Sequence, residues 1–296
     1  MSILSILFPD FTLILLGFLL FRYTGWGLEF WNGLEKMVYF ILFPPLLFYA
    51  TAKTPLNFIE SGKLLQTALL AVTAAIALGW LARPLFKVGP MIFESGVQTA
   101  FRFNSYIALA VASRLAGDDG TSLMALIIGF AVPLCNAAAV HALAHNRGGL
   151  AMALLKNPLL VATVAGMSFN LAGLQVPETV GAIFSRLGNA SIALGLITVG
   201  AGLRLSGVAR WPGITGYFLA VKLLALPAIA FFLGRWFGLT PLHLQIVVMF
   251  SALPTASSAY VLAARMGGDG PFVAFLVSIG TLLSALTLPL WLLLVT

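Results

Sequence analysis

ALAVASRLAGD (Ala108–Asp118) and AYVLAARMGGD (Ala259–Asp269) stand 151 residues apart and coincide at Ala108/Ala259, Ala112/Ala263, Arg114/Arg265, Gly117/Gly268 and Asp118/Asp269. Alanine and glycine recur by chance in apolar helices. Arginine and aspartate are rare there, so their agreement carries the weight. A second pair has nearly the same spacing: Pro9 and Gly17 are separated by seven residues, as are Pro158 and Gly166. The chain therefore reads as two related halves, 1–146 and 147–296.

What surrounds these stretches is apolar. Of 296 residues, 60% are hydrophobic and 8% charged, and the mean hydropathy is +1.04. A soluble domain is typically about half apolar and a quarter charged. A bilayer accommodates the excess, because lipid replaces a polar exterior. The net charge of +7 does not point to nucleic acid, since the basic residues are scattered singly between apolar runs. The lone Cys135 cannot form an internal disulfide. The N-terminus lacks the basic region and cleavage site of a signal peptide, and reads as a retained first span.

A membrane helix needs about 20 apolar residues. Ten runs qualify: Leu4–Phe21, Leu34–Ala52, Leu64–Ala82, Met91–Ala116, Thr121–Ala144, Leu150–Leu171, Val180–Leu203, Ile214–Leu233, Leu242–Met266 and Pro271–Val295. The expected fold is an all-α polytopic membrane protein of ten spans with short loops. Five spans per half is an odd number, so the second half enters the membrane inverted. Inverted repeats of this kind characterise secondary transporters, whose sites lie at the midplane in discontinuous helices. Basic residues divide unevenly between the sides. Lys53, Lys63, Arg114, Arg186 and Arg235 share the side of the termini. Arg22, Lys36, Arg83, Lys87, Arg147, Lys156, Arg204, Arg210 and Arg265 lie opposite. The excess places the second side in the cytoplasm and both termini outside it.

Six stretches carry a family resemblance: FILFPPLLF (Phe40–Phe48), TAFRFNSYIALAVA (Thr99–Ala112), LIIGFAVPLCN (Leu126–Asn136), LLKNPLLVATVAG (Leu154–Gly166), ALPTASSAYVLAARMGGD (Ala252–Asp269) and SIGTLLSALTLPLW (Ser278–Trp291). In order and spacing the chain resembles the bacterial branch of the auxin efflux carrier family over essentially its whole length. The resemblance implies a fold related to bile-acid/sodium symporters. Spans 1, 2, 6 and 7 would form a scaffold, and spans 3–5 and 8–10 a transport domain. Spans 4 and 9 would be broken and cross at the midplane, and transport would be elevator-like. The cargoes it implies are carboxylates such as malate, malonate and auxin. One departure stands out. Many relatives carry a proline in span 4 after the asparagine segment, and Ala108–Ala112 contains none, which leaves the break in span 4 open.

The residues themselves supply candidates for a substrate site. Pro254, midway along span 9, removes a backbone hydrogen bond and clashes with the preceding turn. Thr255, Ser257 and Ser258 follow and can satisfy the freed groups, so a break is favoured over a simple kink. At the repeat spacing, Phe103 and Asn104 correspond to Pro254 and Thr255. Arg102, Asn104, Ser105 and Tyr106 place four polar or amphipathic residues within five, which is costly at membrane depth. The competing reading is interhelical hydrogen bonding. Arg102 could hold a carboxylate bidentately or pair structurally with Glu94, about 12 Å away along a continuous helix. Asn136, after Pro133, could face the same crossing or bond neighbouring helices. Glu94 and Lys222 are candidates for coupling. Glu94 could carry a proton or sit at the membrane surface. Lys222 could replace a coupling cation or snorkel outward. His141 and His145 have a metal-compatible spacing, but no carboxylate or cysteine completes a set, and an interfacial role is the simpler reading.

The sequence thus points to a carrier in the plasma (inner) membrane for a small organic anion; in the fold that the resemblance implies, two helix N-termini converge to hold it. A homodimer is compatible with it. A channel or ligand sensor on the same fold stays open. An intramembrane enzyme is disfavoured because no GxSxG or HExxH motif occurs and Asp118, Asp119 and Asp269 lie at helix ends. No cofactor is expected, and proton coupling, sodium coupling and uniport are all admitted.

Overall fold

The computed structural model describes residues 3–53, 58–143, 158–203, 211–256 and 258–295. All regular structure among them is helical: α1 Ile3–Tyr23, α2 Leu28–Met37, α3 Phe43–Lys53, α4 Phe58–Leu85, α5 Pro90–Gly96, α6 Ser105–Leu143, α7 Pro158–Leu171, α8 Glu178–Ala201, α9 Pro212–Ala220, α10 Leu226–Trp236, α11 Pro241–Ala252, α12 Ser258–Arg265 and α13 Gly270–Val295. Six stretches of the described residues are long and apolar enough to cross a bilayer, among them Leu28–Lys53, Glu178–Ala201 and Gly270–Val295.

Prolines shape several of these helices. Single π turns at Val38–Leu42 and Val221–Ala225 join α2 to α3 and α9 to α10. Pro44, Pro45 and Pro227 follow within a few residues. Proline cannot donate to the carbonyl four residues back, so the ladder there widens. The carbonyl freed by Pro227 is that of Leu223, and it accepts the indole N–H of Trp291 at 2.9 Å.

The 54-residue stretch Pro90–Leu143 would run roughly 80 Å as one straight helix, over twice the hydrocarbon thickness. It is interrupted twice. Residues 101–104 are not helical, and Ala116 and Gly117 leave helical geometry, Gly117 at φ +57°. Glycine adopts that conformation without the Cβ penalty. The second copy of the repeated motif also turns at a glycine, one position earlier in the alignment, with Gly267 at φ +80° ahead of Asp269. Asp269 then caps α13, its Oδ1 accepting the Phe272 N–H at 2.9 Å, as an N-cap aspartate does.

The described residues fall into two compact units. The first draws on Met1–Ser61, Ser105–Pro133 and Leu150–Ala201. Small residues let its backbones approach closely. A Cβ on Gly17 would run into the Ile197 carbonyl, and one on Gly200 into that of Ile14, so α1 and α8 lie backbone to backbone. Gly166 gives α3 the same access to α7, and the amide of Asn170 donates to the Ala52 carbonyl at 2.9 Å. Asp10 is buried in α1 and accepts from Arg114 Nε at 3.0 Å.

The second unit draws on Gly62–Asn104, Leu134–Gly149 and Gly202–Thr296. Its core gathers α11 and α13 with Phe218, Phe250, Val273 and Val277. Gly96 sits where a side chain would strike the rings of Phe218 and Phe272. Tyr217 tethers α9 to α4 through the Leu78 carbonyl at 2.7 Å.

Candidate functional site

Pro254 ends a helix, as its missing N–H requires. α11 stops at Ala252, Leu253 is extended at φ −62° and ψ 146°, and helical structure resumes at Ser258. The matching interruption lies in the first half. α5 tightens into a 3-10 turn at Val97–Ala100, Phe101 turns out at φ −132°, and α6 begins at Ser105. The stretch expected as one span, Met91–Ala116, is therefore broken without a local proline.

Its break is held by tertiary partners. Asn104 N–H donates to the Pro254 carbonyl at 2.8 Å. The Thr255 hydroxyl donates to the Thr99 carbonyl at 2.8 Å, and Cys135 Sγ approaches the Phe101 carbonyl at 3.5 Å. One backbone bond, Asn104 to Pro254, thus joins the unwound segments 101–104 and 253–256, and side chains supply the other contacts, in a region where Asn104 is 1% and Thr255 4% exposed. Unpaired backbone groups would be costly at that depth. The rings of Phe103 and Phe250 close the packing, centroids 4.6 Å apart.

Two cations are buried here. Arg102 donates from Nη1 to Gln98 Oε1 at 3.1 Å and from Nη2 to Ser258 Oγ at 3.2 Å. This places the guanidinium at the residue that opens α12. Lys222 is 2% exposed and does not snorkel; its ammonium donates to the Ser251 carbonyl at 3.1 Å. Ser251 lies in the last turn of α11, whose carbonyls have lost their helical donors. A cation there also complements the negative end of the helix dipole. No acidic residue occurs within 97–106 or 250–258.

Of the sequence candidates, Arg102, Phe103, Asn104, Pro254 and Thr255 come together in this way, with Lys222 beside them. Asn136 is half-buried and directly follows Cys135, which touches the crossing. Glu94 is half-buried on α5, two turns before Arg102. Ser105 and Tyr106 belong to the first unit. The Tyr106 ring packs edge-on against Phe43 at 5.1 Å and over Gly195, where a Cβ would strike it. Ser257 and His145 lie outside the described residues. His141 stacks beside Trp80 at 5.8 Å, and no group of three or more metal-ligating side chains occurs among the described residues. Sequence reasoning missed Gln98, Thr99 and Ser251. Gln98 stands four residues before Arg102, the spacing at which helical side chains meet.

Residues 149–292 match the family model described as "Membrane transport protein". A Rhizobium meliloti (strain 1021) protein named "Putative malonate transporter" is 24% identical over 300 residues, covering 97% of this chain and 93% of that protein. A Methanothermobacter thermautotrophicus (strain ATCC 29096 / DSM 1053 / JCM 10044 / NBRC 100330 / Delta H) protein named "Uncharacterized transporter" is 25% identical over 297 residues, 98% of this chain and 96% of its own length. Residues 149–292 are thus similar to the membrane transport protein family, and the chain's motifs resemble its auxin efflux carrier type.

Proposed function

We propose that this protein is a secondary carrier for a small organic anion, a carboxylate, bound at the crossing of the two unwound segments. The observation that carries the reading is the pairing of Asn104 with Pro254 beside two buried cations, Arg102 and Lys222, with no acidic side chain in either segment. A buried cation in a membrane protein is costly unless it serves a partner or a substrate. The N–H groups that open α12 add a partial positive charge of about half a unit. Arg102 already reaches that helix end, so a carboxylate there would meet guanidinium and backbone donors together. The relative named for malonate makes a short dicarboxylate the first cargo to test.

The proposal extends to topology and motion. Ten spans in two inverted repeats, with both termini outside the cytoplasm of a plasma-membrane protein, fit the repeated motif and the basic-residue bias. Spans 1, 2, 6 and 7 serve as scaffold and spans 3–5 and 8–10 as transport domain in an elevator movement. The clustering of α4, α5 and α9–α13 in one compact unit supports part of that division.

Thermal-shift and calorimetric titration of the purified protein with malonate, succinate and acetate tests the site, since bound ligand raises apparent stability. Carboxylates should stabilise the wild type, and Asn104→Ala should weaken them about tenfold or more, the loss of a hydrogen bond to a charged group. Stabilisation by cations or neutral solutes with carboxylates inert would overturn the reading. Ohmic conductance from reconstituted protein would replace the carrier with a channel.

A further inference from the structure

A second polar site lies in the first unit, within the residues of that unit alone. A cleft of about 110 Å³ opens between the end of α3, the kink of α6 and the first half of α8. Its wall carries Ser113, Thr121, Ser185 and Asn189, and Lys53 and Asp118 stand at its rim. Ser113, Ser185 and Asn189 donate to no protein group among the described residues. Thr121 is already used, its hydroxyl donating to the Gly117 carbonyl at 2.8 Å. At roughly 10–15 Å³ for each water-sized occupant, the space holds a molecule of several heavy atoms.

The rim shows what chemistry the cleft prefers. Lys53 Nζ donates to Asp118 Oδ2 at 2.7 Å, with both side chains at least half exposed. An exposed pair of this kind contributes little to stability. It does place a carboxylate at the mouth of a cleft whose wall presents two hydroxyl donors and an amide. Asp118 therefore occupies the position a ligand's carboxylate would take, and an incoming anion has to displace it. The kink that delivers Asp118 is fixed by the positive φ of Gly117, so the competitor is built into the turn.

The geometry points to this cleft as a second, weak site for a small carboxylate, with Lys53 as its anchor and Asp118 as an internal competitor. The inference rests on the reading of the protein as an anion carrier and adds a place where the anion waits apart from the crossing. The two rim residues then have opposite effects on an anion. Removing Lys53 takes away the anchor. Neutralising Asp118 removes both the competitor and a repelling charge. A pair that only held the fold together would give losses of the same sign.

The test is calorimetric titration of malonate and succinate into the purified full chain, as wild type and with Asn104→Ala, which weakens the crossing. Lys53→Gln should weaken binding and Asp118→Asn should tighten it, each by about two- to fivefold, as suits a solvent-exposed charge. Lys53→Arg should keep it. In Asn104→Ala protein the residual binding should show the same opposite shifts. Where Lys53→Gln does not fold, Asn189→Ala on the wall should weaken binding instead. Shifts of the same sign, no shift at the rim, or complete loss of binding in Asn104→Ala would overturn the cleft while leaving the crossing intact. A wild type that binds no carboxylate would overturn both.

Discussion

Thr255→Val isolates the contact that holds the crossing. The substitution keeps the side-chain shape and deletes the hydroxyl that donates to the Thr99 carbonyl at 2.8 Å. Thr99 is 3% exposed and sits in the last 3-10 turn before the break. Its carbonyl loses its partner without gaining water. A single buried hydrogen bond is worth about 1–1.5 kcal/mol net, and interhelical bonds in membranes average nearer 0.6, but an orphaned buried acceptor adds a desolvation cost of about 1–3 kcal/mol. The expected loss is about 1–2 kcal/mol in the unfolding free energy, roughly five- to thirtyfold in the folded-to-unfolded ratio. Reversible denaturant unfolding in mixed micelles measures it. Thr73→Val is the control, because that hydroxyl bonds back to Leu69 on an exposed helix face and its loss should stay within about 0.5 kcal/mol. Carboxylate affinity should fall with Thr255→Val and not with Thr73→Val. Equal stability of the two variants would refute the view that the breaks are held by each other.

Lys222→Met should lower carboxylate affinity about tenfold while leaving stability near that of the wild type, because removing a buried ammonium offsets the lost bond to Ser251; titration calorimetry with a parallel melt checks both. Gly200→Ala, whose new Cβ would meet the Ile14 carbonyl, should destabilise by about 1–3 kcal/mol or more through forced separation of α1 and α8, read as a fall in Tm. Trp291→Phe leaves the Leu223 carbonyl without its donor and should cost about 1 kcal/mol, measured by the same unfolding assay. Asp269→Ala should cost about 1 kcal/mol as the α13 cap is lost, and Asp269→Asn should restore most of it.

The membrane class was legible in composition, and the break at Pro254 was legible because proline acts on its own helix. The break at 101–104 was not legible in the same way. Its cause is a set of partners some 150 residues away, Pro254 and Thr255, and no local residue announces it. Lys222 was ambiguous for a related reason. Composition cannot say whether a lysine in an apolar helix faces lipid or core, and the π turn at Val221–Ala225 shifts the helical phase on which any such guess depends. Tyr106 sits two residues from Asn104 yet packs on Phe43 and Gly195, since the chain passes from one unit to the other between Asn104 and Ser105. Gln98 and Thr99 were visible as polar residues at depth, and the four-residue spacing from Gln98 to Arg102 was the signal that would have joined them to the site.

The central claim is that the crossing carries an anion from one side of the membrane to the other. Uptake of radiolabelled malonate and succinate into proteoliposomes, for wild type and Asn104→Ala, tests it most directly. The account predicts saturable uptake of at least one of them by the wild type, competed by unlabelled carboxylate and strongly reduced in Asn104→Ala protein that melts normally. Uptake that never saturates, or uptake undiminished by Asn104→Ala, would contradict it.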